Sequence, residues 1–293
     1  MNYELDTQTA QRFLTIAQQD LKAARCLYDH EFYPQAVFYL EQSAEKGLKS
    51  FAIFAGMITE QEARRSISHQ TMKIFSKTTT GFKDKIDTFN SNILSDPRLE
   101  RMFDGIGNSS QLSAQVNRTL GFIQTASKEN VVTISKNEKR LRNYMISLKK
   151  LHQEYNDIQD LIQQFSISET EFRSFKKMLL NMIKRYFEEQ PDEFKTVKKE
   201  MDEKLTYDFY VKSMREYLLL LLPPIFIYSS FFYLSRLLAP HALSRYPEGD
   251  FDPSEFYNCE LPLIQEFPQI SSYVHETLSV LDPTYALHGG TDQ

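Results

Sequence analysis

Tryptophan is absent from the chain, and only two cysteines and nine glycines occur in 293 residues. Cys26 and Cys259 are too few for a disulfide framework or a thiolate metal site, so they read as reduced thiols of a cytoplasmic protein. The shortage of glycine, set against many Leu, Phe, Lys, Glu and Gln residues, favours helices over strands. No glycine-rich phosphate loop, His-Glu-x-x-His pair or nucleophile elbow occurs, so neither a metal nor a cofactor is expected. Excess positive charge is also missing. The formal net charge is −5, so attraction to nucleic acid must come from a local patch. The segment Met1 to Asp6 is acidic and lacks an apolar run, unlike a signal peptide.

What is present is helical periodicity, and the expected fold class is all-α. Phe13, Ala17, Leu21, Ala24 and Tyr28 recur at three and four, which predicts a helix over about 9–28. Val37, Leu40, Ala44, Leu48, Phe51 and Ala55 do the same after Pro34, predicting a second helix over about 34–55. A short connection makes the pair an antiparallel hairpin. Gly47 inside the second helix costs about 1 kcal/mol relative to Ala and points to close backbone packing there. The polar stretch from Lys77 to about Val132, with breakers at Thr78-Thr79-Thr80-Gly81 and Asp104-Gly105-Ile106-Gly107-Asn108, is expected to hold two modest helices.

Leu141, Tyr144, Leu148, Leu151, Tyr155, Ile158, Ile162 and Phe165 form an apolar seam at alternating spacings of three and four. After Ser168, which with Glu171 fits a capping box, Phe172, Phe175, Leu179, Met182 and Tyr186 repeat the pattern. The expectation is an antiparallel coiled-coil hairpin over 136–190. Arg140, Arg142, Lys149, Lys150, Lys176, Lys177, Lys184 and Arg185 lie along its arms. They read either as a solvated face or as a surface for an RNA backbone or a partner.

Residues Tyr217 to Ser235 are uncharged and approach the length of a membrane span. Pro223-Pro224 in the middle favours a buried central helix, broken or kinked at the prolines, over membrane contact. A last helix is expected through Ile270, Val274, Leu278 and Leu281, with a disordered tail from His288.

The run from Phe32 to Ser50, with Gln42-Ser43-Ala44-Glu45-Lys46-Gly47-Leu48-Lys49 at its centre, resembles the signature of HEPN domains (higher eukaryotes and prokaryotes nucleotide-binding). Ala17 to Ala24 resembles that family's first helix, Ser68-His69 its third segment, and Arg245-Tyr246-Pro247 the approach to its last helix. The resemblance covers about residues 9–75 and 225–282. It implies a HEPN-like bundle divided into a first half at 1–76 and a second half at 206–293, with a helical insertion at 77–205.

The resemblance further implies nucleotide or RNA chemistry. Glu45, Lys46, Lys49, His69, Arg245 and Tyr246 would form a nucleotide-binding pocket. Glu45 and Lys49 are equally readable as a plain i,i+4 ion pair. The expected function is a nucleotide- or RNA-binding module acting with a partner such as a minimal nucleotidyltransferase or an antitoxin, as a homodimer.

The first alternative is a metal-independent endoribonuclease of the toxin or defence type. In such enzymes an arginine four to six residues before a histidine steadies the phosphate while the histidine moves protons. The catalytic candidates are Arg236 with His241 and Arg64 with His69, and Arg25 with His30 has the same spacing. Leu237 and Pro240 depart from the nuclease pattern, and no histidine follows Arg245 at that spacing, which favours lost nuclease activity. The second alternative is a non-enzymatic helical interaction protein.

Overall fold

A computed structural model describes residues 6–67, 71–95, 137–238 and 252–289. Among these there is no strand. The helices are α1 (Thr7–Asp29), α2 (Tyr33–Phe54), α3 (Glu60–Glu62), α4 (Met72–Ser95), α5 (Glu138–Gln163), α6 (Glu169–Tyr186), α7 (Pro191–Lys204), α8 (Tyr207–Leu238), α9 (Pro253–Phe256), α10 (Pro262–Gln265) and α11 (Phe267–Gly289). A π-helical segment, Ala63–Ile67, follows α3.

The contacts divide the chain into two compact units. Among the described residues, unit 1 holds 6–67, 71–78, 137–156, 222–238 and 252–289, and unit 2 holds 79–95 and 157–221. Unit 1 therefore takes in residues 137–156, which the sequence pattern had placed in the insertion.

Unit 1 is built around α2. Both of its ends have local causes: Pro34 occupies the first turn, where its missing N–H is not needed, and Ala55 caps the far end. From Ala36 to Phe54 almost every side chain is buried, as expected of a helix surrounded by others. Its closest neighbour is α1. Ser43 Oγ donates to Ala17 O at 2.8 Å and Ser50 Oγ to Ala10 O at 2.5 Å, so the two helices run antiparallel. Small residues at the contact (Ala10, Ala17, Ala36, Ser43) let the backbones come close enough for these bonds. Helix α11 closes another side: Tyr28 stacks on Phe267 with ring centres 4.4 Å apart, and Arg25 donates to Ser271 O at 3.0 Å. Phe75 of α4 meets Tyr228 and Phe232 edge-on at 5.1 and 5.2 Å.

The expected coiled-coil pairing does not account for the seam residues. Leu141, Leu148 and Tyr155 of that seam, with Met145 beside them, belong to the core of unit 1, where Tyr155 stacks on Phe226 at 4.1 Å. Ile158 of the same seam is exposed. In unit 2, Phe172 and Phe175 of α6 pack on Tyr210, with ring centres at 5.6 and 4.7 Å. The capping box of Ser168 and Glu171 is present at the start of α6.

Three further expectations are corrected. Helix α8 continues through Pro223 and Pro224 with no break. It is long and apolar enough to cross a membrane by length and composition, yet Phe226, Ile227, Phe231 and Leu234 are buried in the core of unit 1. Tyr217, Leu219, Leu220 and Ile225 are exposed. Helix α4 runs straight through the breaker proposed at residues 78–81, and α11 continues through His288 to Gly289. The breaker at Asp104-Gly105 lies outside the described residues.

Candidate functional site

The most chemically distinctive feature of unit 1 is a row of ionisable side chains inside its central helix. Glu41, Glu45 and Lys49 stand four residues apart on one face of α2 and are 1%, 4% and 6% exposed. Spacing of i, i+4 and i+8 stacks them along the helix. Lys49 Nζ donates to Glu45 Oε1 at 2.5 Å, an ion pair shut away from water. Gln42 Nε2 donates to Glu41 Oε2 at 2.8 Å and lies 3.4 Å from Glu45 Oε2. The row then reaches the rim: Gln42 Oε1 accepts from Lys46 Nζ at 2.9 Å, and Lys46 also holds Asp20 of α1 at 2.6 Å.

Two carboxylates share this row with one buried lysine, and the imbalance falls on Glu41. Burial, reinforced by the neighbouring Glu45, raises its pKa to about 8, against the weaker pull of Gln42, Lys46 and Lys49. At neutral pH Glu41 therefore retains its proton, and the buried row is close to electrically neutral. Its Oε1 makes no hydrogen bond among the described residues and is the natural seat of that proton. A neutral acid in this place can donate a hydrogen bond or release a proton when a cation or a ligand approaches.

The expected binding residues divide accordingly. Glu45, Lys46 and Lys49 are brought together on α2, with Glu45 and Lys49 buried and Lys46 partly open. His69, Arg245 and Tyr246 lie outside the described residues. Glu41 was not singled out in the sequence. The signal was its place one turn before Glu45 on the same face.

The catalytic candidates are placed differently from one another. Arg236 is 5% exposed, its Nη2 donates to Tyr144 Oη at 2.7 Å, and its guanidinium carbon lies 5.6 Å from the centre of that ring. This arginine braces α5 against α8. Arg64 is exposed on the π-helical segment and paired with Glu60 at 2.7 Å. Arg25 binds Ser271, while His30 Nδ1 lies 2.8 Å from Cys26 O, so that pair is tied into the α1 frame. His241 lies outside the described residues.

A second polar cluster in unit 1 was also missed. His152 Nδ1 stands 2.6 Å from Glu276 Oε2, and its Nε2 lies 3.3 Å from Ser230 Oγ. With the Nδ1 proton given to the carboxylate, Nε2 accepts from the serine. The order Ser–His–Glu resembles a hydrolase relay, but Ser230 lies in the middle of α8, where the helix's own hydrogen bonds occupy the backbone amides that an oxyanion hole would need. Burial lowers the pKa of His152 despite the opposing pull of Glu276, so the ring is a neutral linker of α5, α8 and α11.

Comparison with known families matches residues 10–81, about a quarter of the chain, to the HEPN domain. The match spans α1, α2 and the first part of α4, and therefore includes the whole buried row. It supports a nucleotide- or RNA-related module in coarse terms. Neither a curated protein nor a solved structure matches the chain.

Proposed function

We propose that this chain, carrying HEPN-domain sequence over residues 10–81, is a nucleotide- or RNA-binding helical module that works with a partner protein. A nucleotidyltransferase or an antitoxin is the kind of partner that the resemblance implies. The observation that carries the reading is the buried row of Glu41, Glu45 and Lys49 inside the matched stretch. A helix needed only to fill a core is better served by apolar side chains, because each buried ion costs several kcal/mol of desolvation. A protonated acid held among charged neighbours is more typical of a working site than of a scaffold. Lys46, partly exposed and held by Asp20, is the member of this cluster open to a phosphate.

The test is melting of the purified chain in EDTA with ATP, GTP or AMP, beside Lys46→Ala, and with labelled RNA recovered afterwards. A rise in melting temperature with a nucleotide, lost in Lys46→Ala, together with intact RNA, supports the proposal. Absence of any shift with every nucleotide and with the RNA overturns it.

One observation favours the ribonuclease reading as a second possibility. Arg64 is exposed on a π-helical segment, a local geometry common at functional sites, and His69 follows it at the nuclease spacing. Metal-independent cleavage of the RNA, abolished by Arg64→Ala, Arg236→Ala or Arg245→Ala, would replace the first reading with this one.

A further inference from the structure

A groove of about 510 Å³ runs between α6 and α7, entirely within unit 2. Its walls are cationic. Arg173, Lys176, Lys177 and Lys184 line it from α6 and Lys198 from α7, with Asp202 the one acidic residue among the described lining. Acidic and basic residues balance over residues 169–204, so this positive character arises from placement rather than composition. Two of the cations are engaged: Arg173 pairs with Glu169 at 2.6 Å, and Lys176 with Asp202 at 3.1 Å. Lys177, Lys184 and Lys198 are exposed and form no ion pair among the described residues.

The geometry suits a strand rather than a single anion. From Arg173 to Lys184 the charges extend over about 16 Å of helix at 1.5 Å per residue. Between them the lining turns apolar at Leu180 and at half-buried Phe194. Lysines at intervals along a groove with an aromatic ring in its wall form the arrangement that tracks a phosphate backbone while stacking an unpaired base. A duplex offers no such base, and an acidic peptide would leave Phe194 without a role.

We infer that this groove binds a single-stranded nucleic acid, with Lys177, Lys184 and Lys198 on its phosphates and Phe194 against one base. The site lies in unit 2, outside the HEPN-matched residues, and stands independently of the nucleotide reading.

The experiment is fluorescence anisotropy of the full chain with labelled oligo-U and oligo-dT of about 20 nucleotides, between about 50 and 200 mM salt. Saturable binding that weakens with salt is expected. The triple variant Lys177→Gln/Lys184→Gln/Lys198→Gln should bind at least about tenfold more weakly, and its log–log salt slope should fall by about 2, from three lost phosphate contacts. Phe194→Leu should weaken binding several-fold and leave the slope unchanged. The matched triple Lys22→Gln/Lys139→Gln/Lys212→Gln removes the same charge from exposed positions elsewhere and should change neither. All the substituted lysines are exposed, and circular dichroism verifies that the variants fold. No saturable binding, an equal loss in both triples, or tighter binding of polyglutamate than of either oligonucleotide would overturn the inference.

Discussion

Gly47 of α2 lets the ring of Phe231 from α8 lie directly against the helix backbone. A Cβ at this position would stand 2.7 Å from Phe231 Cζ and 2.6 Å from Leu278 Cδ2 of α11. Both neighbours are buried, so a Cβ here would force their side chains to shift within the core. Gly47→Ala would ordinarily strengthen a helix by about 1 kcal/mol, yet overpacking costs about 1–3 kcal/mol and should prevail here. The expected result is a lower urea midpoint for Gly47→Ala and a still lower one for Gly47→Val. An alanine variant as stable as the parent would show that the three helices part easily.

Glu31 should be improvable. It follows the last turn of α1 at φ 63, a left-handed conformation in a position where glycine is usual. Its amide donates to Tyr28 O and the next amide, of Phe32, to Leu27 O, each at 2.9 Å, so the turn closes the helix and must be kept. Glu31→Gly relieves the strained backbone without disturbing those bonds and should raise stability by about 1 kcal/mol. Denaturant titration decides, and a destabilised variant would mean that the Glu31 side chain contributes more than its backbone costs.

The packing of Gly47 was legible in the sequence, because a glycine tolerated mid-helix implies a neighbour too near for a side chain. The α1–α2 hairpin and the Ser168–Glu171 cap were legible for similar reasons, since periodicity and capping are local properties. The partner of a seam is not local. Leu141, Leu148 and Tyr155 announce an apolar face but not which helix covers it, so a neighbour in sequence was expected where Tyr155 meets Phe226 of α8. The break allowed for at Pro223 and Pro224 is absent for a related reason, because a long helix can carry prolines when its other contacts offset the lost bonds. Of the site, Glu45, Lys46 and Lys49 were readable from the motif. Glu41 and His152 were not, because burial sets their character and no spacing reveals it.

Glu41 should make the protein less stable as pH rises. Its folded pKa of about 8 lies above the ordinary 4.5, so the folded state holds a proton that the unfolded state releases. The resulting stability is present below 4.5 and is lost as pH rises through about 8, on the order of 1.4 kcal/mol per pH unit between those limits. Glu41→Gln mimics the protonated acid and should flatten this slope, so that the variant outlasts the parent at pH near 8 and approaches it near 5. Melting curves across that range are the measurement. A parent and variant with parallel pH profiles would place the ionised form of Glu41 in the fold.

His152 should impose the opposite slope at the acid end. Its pKa is lowered from the ordinary 6.5 by burial, so the unfolded chain takes up a proton before the folded one does. Stability on this account is complete above about 6.5 and declines as pH falls below it. The groups facing the ring are Glu276 and Tyr273 of α11, Ser230 and Phe226 of α8, and Glu276 is the one charged partner among them. Glu276 opposes the effect of burial. Removing its charge in Glu276→Gln should therefore depress the folded pKa further and steepen the loss of stability on acidification. His152→Gln removes the titrating group and should flatten the acid limb, while costing stability at neutral pH through the broken bridge between α5, α8 and α11. Urea midpoints at pH about 5 and about 8 separate the two variants. If Glu276→Gln lost no more stability than the parent between these values, the carboxylate would not be holding the imidazole, and the close Nδ1–Oε2 approach would be packing alone.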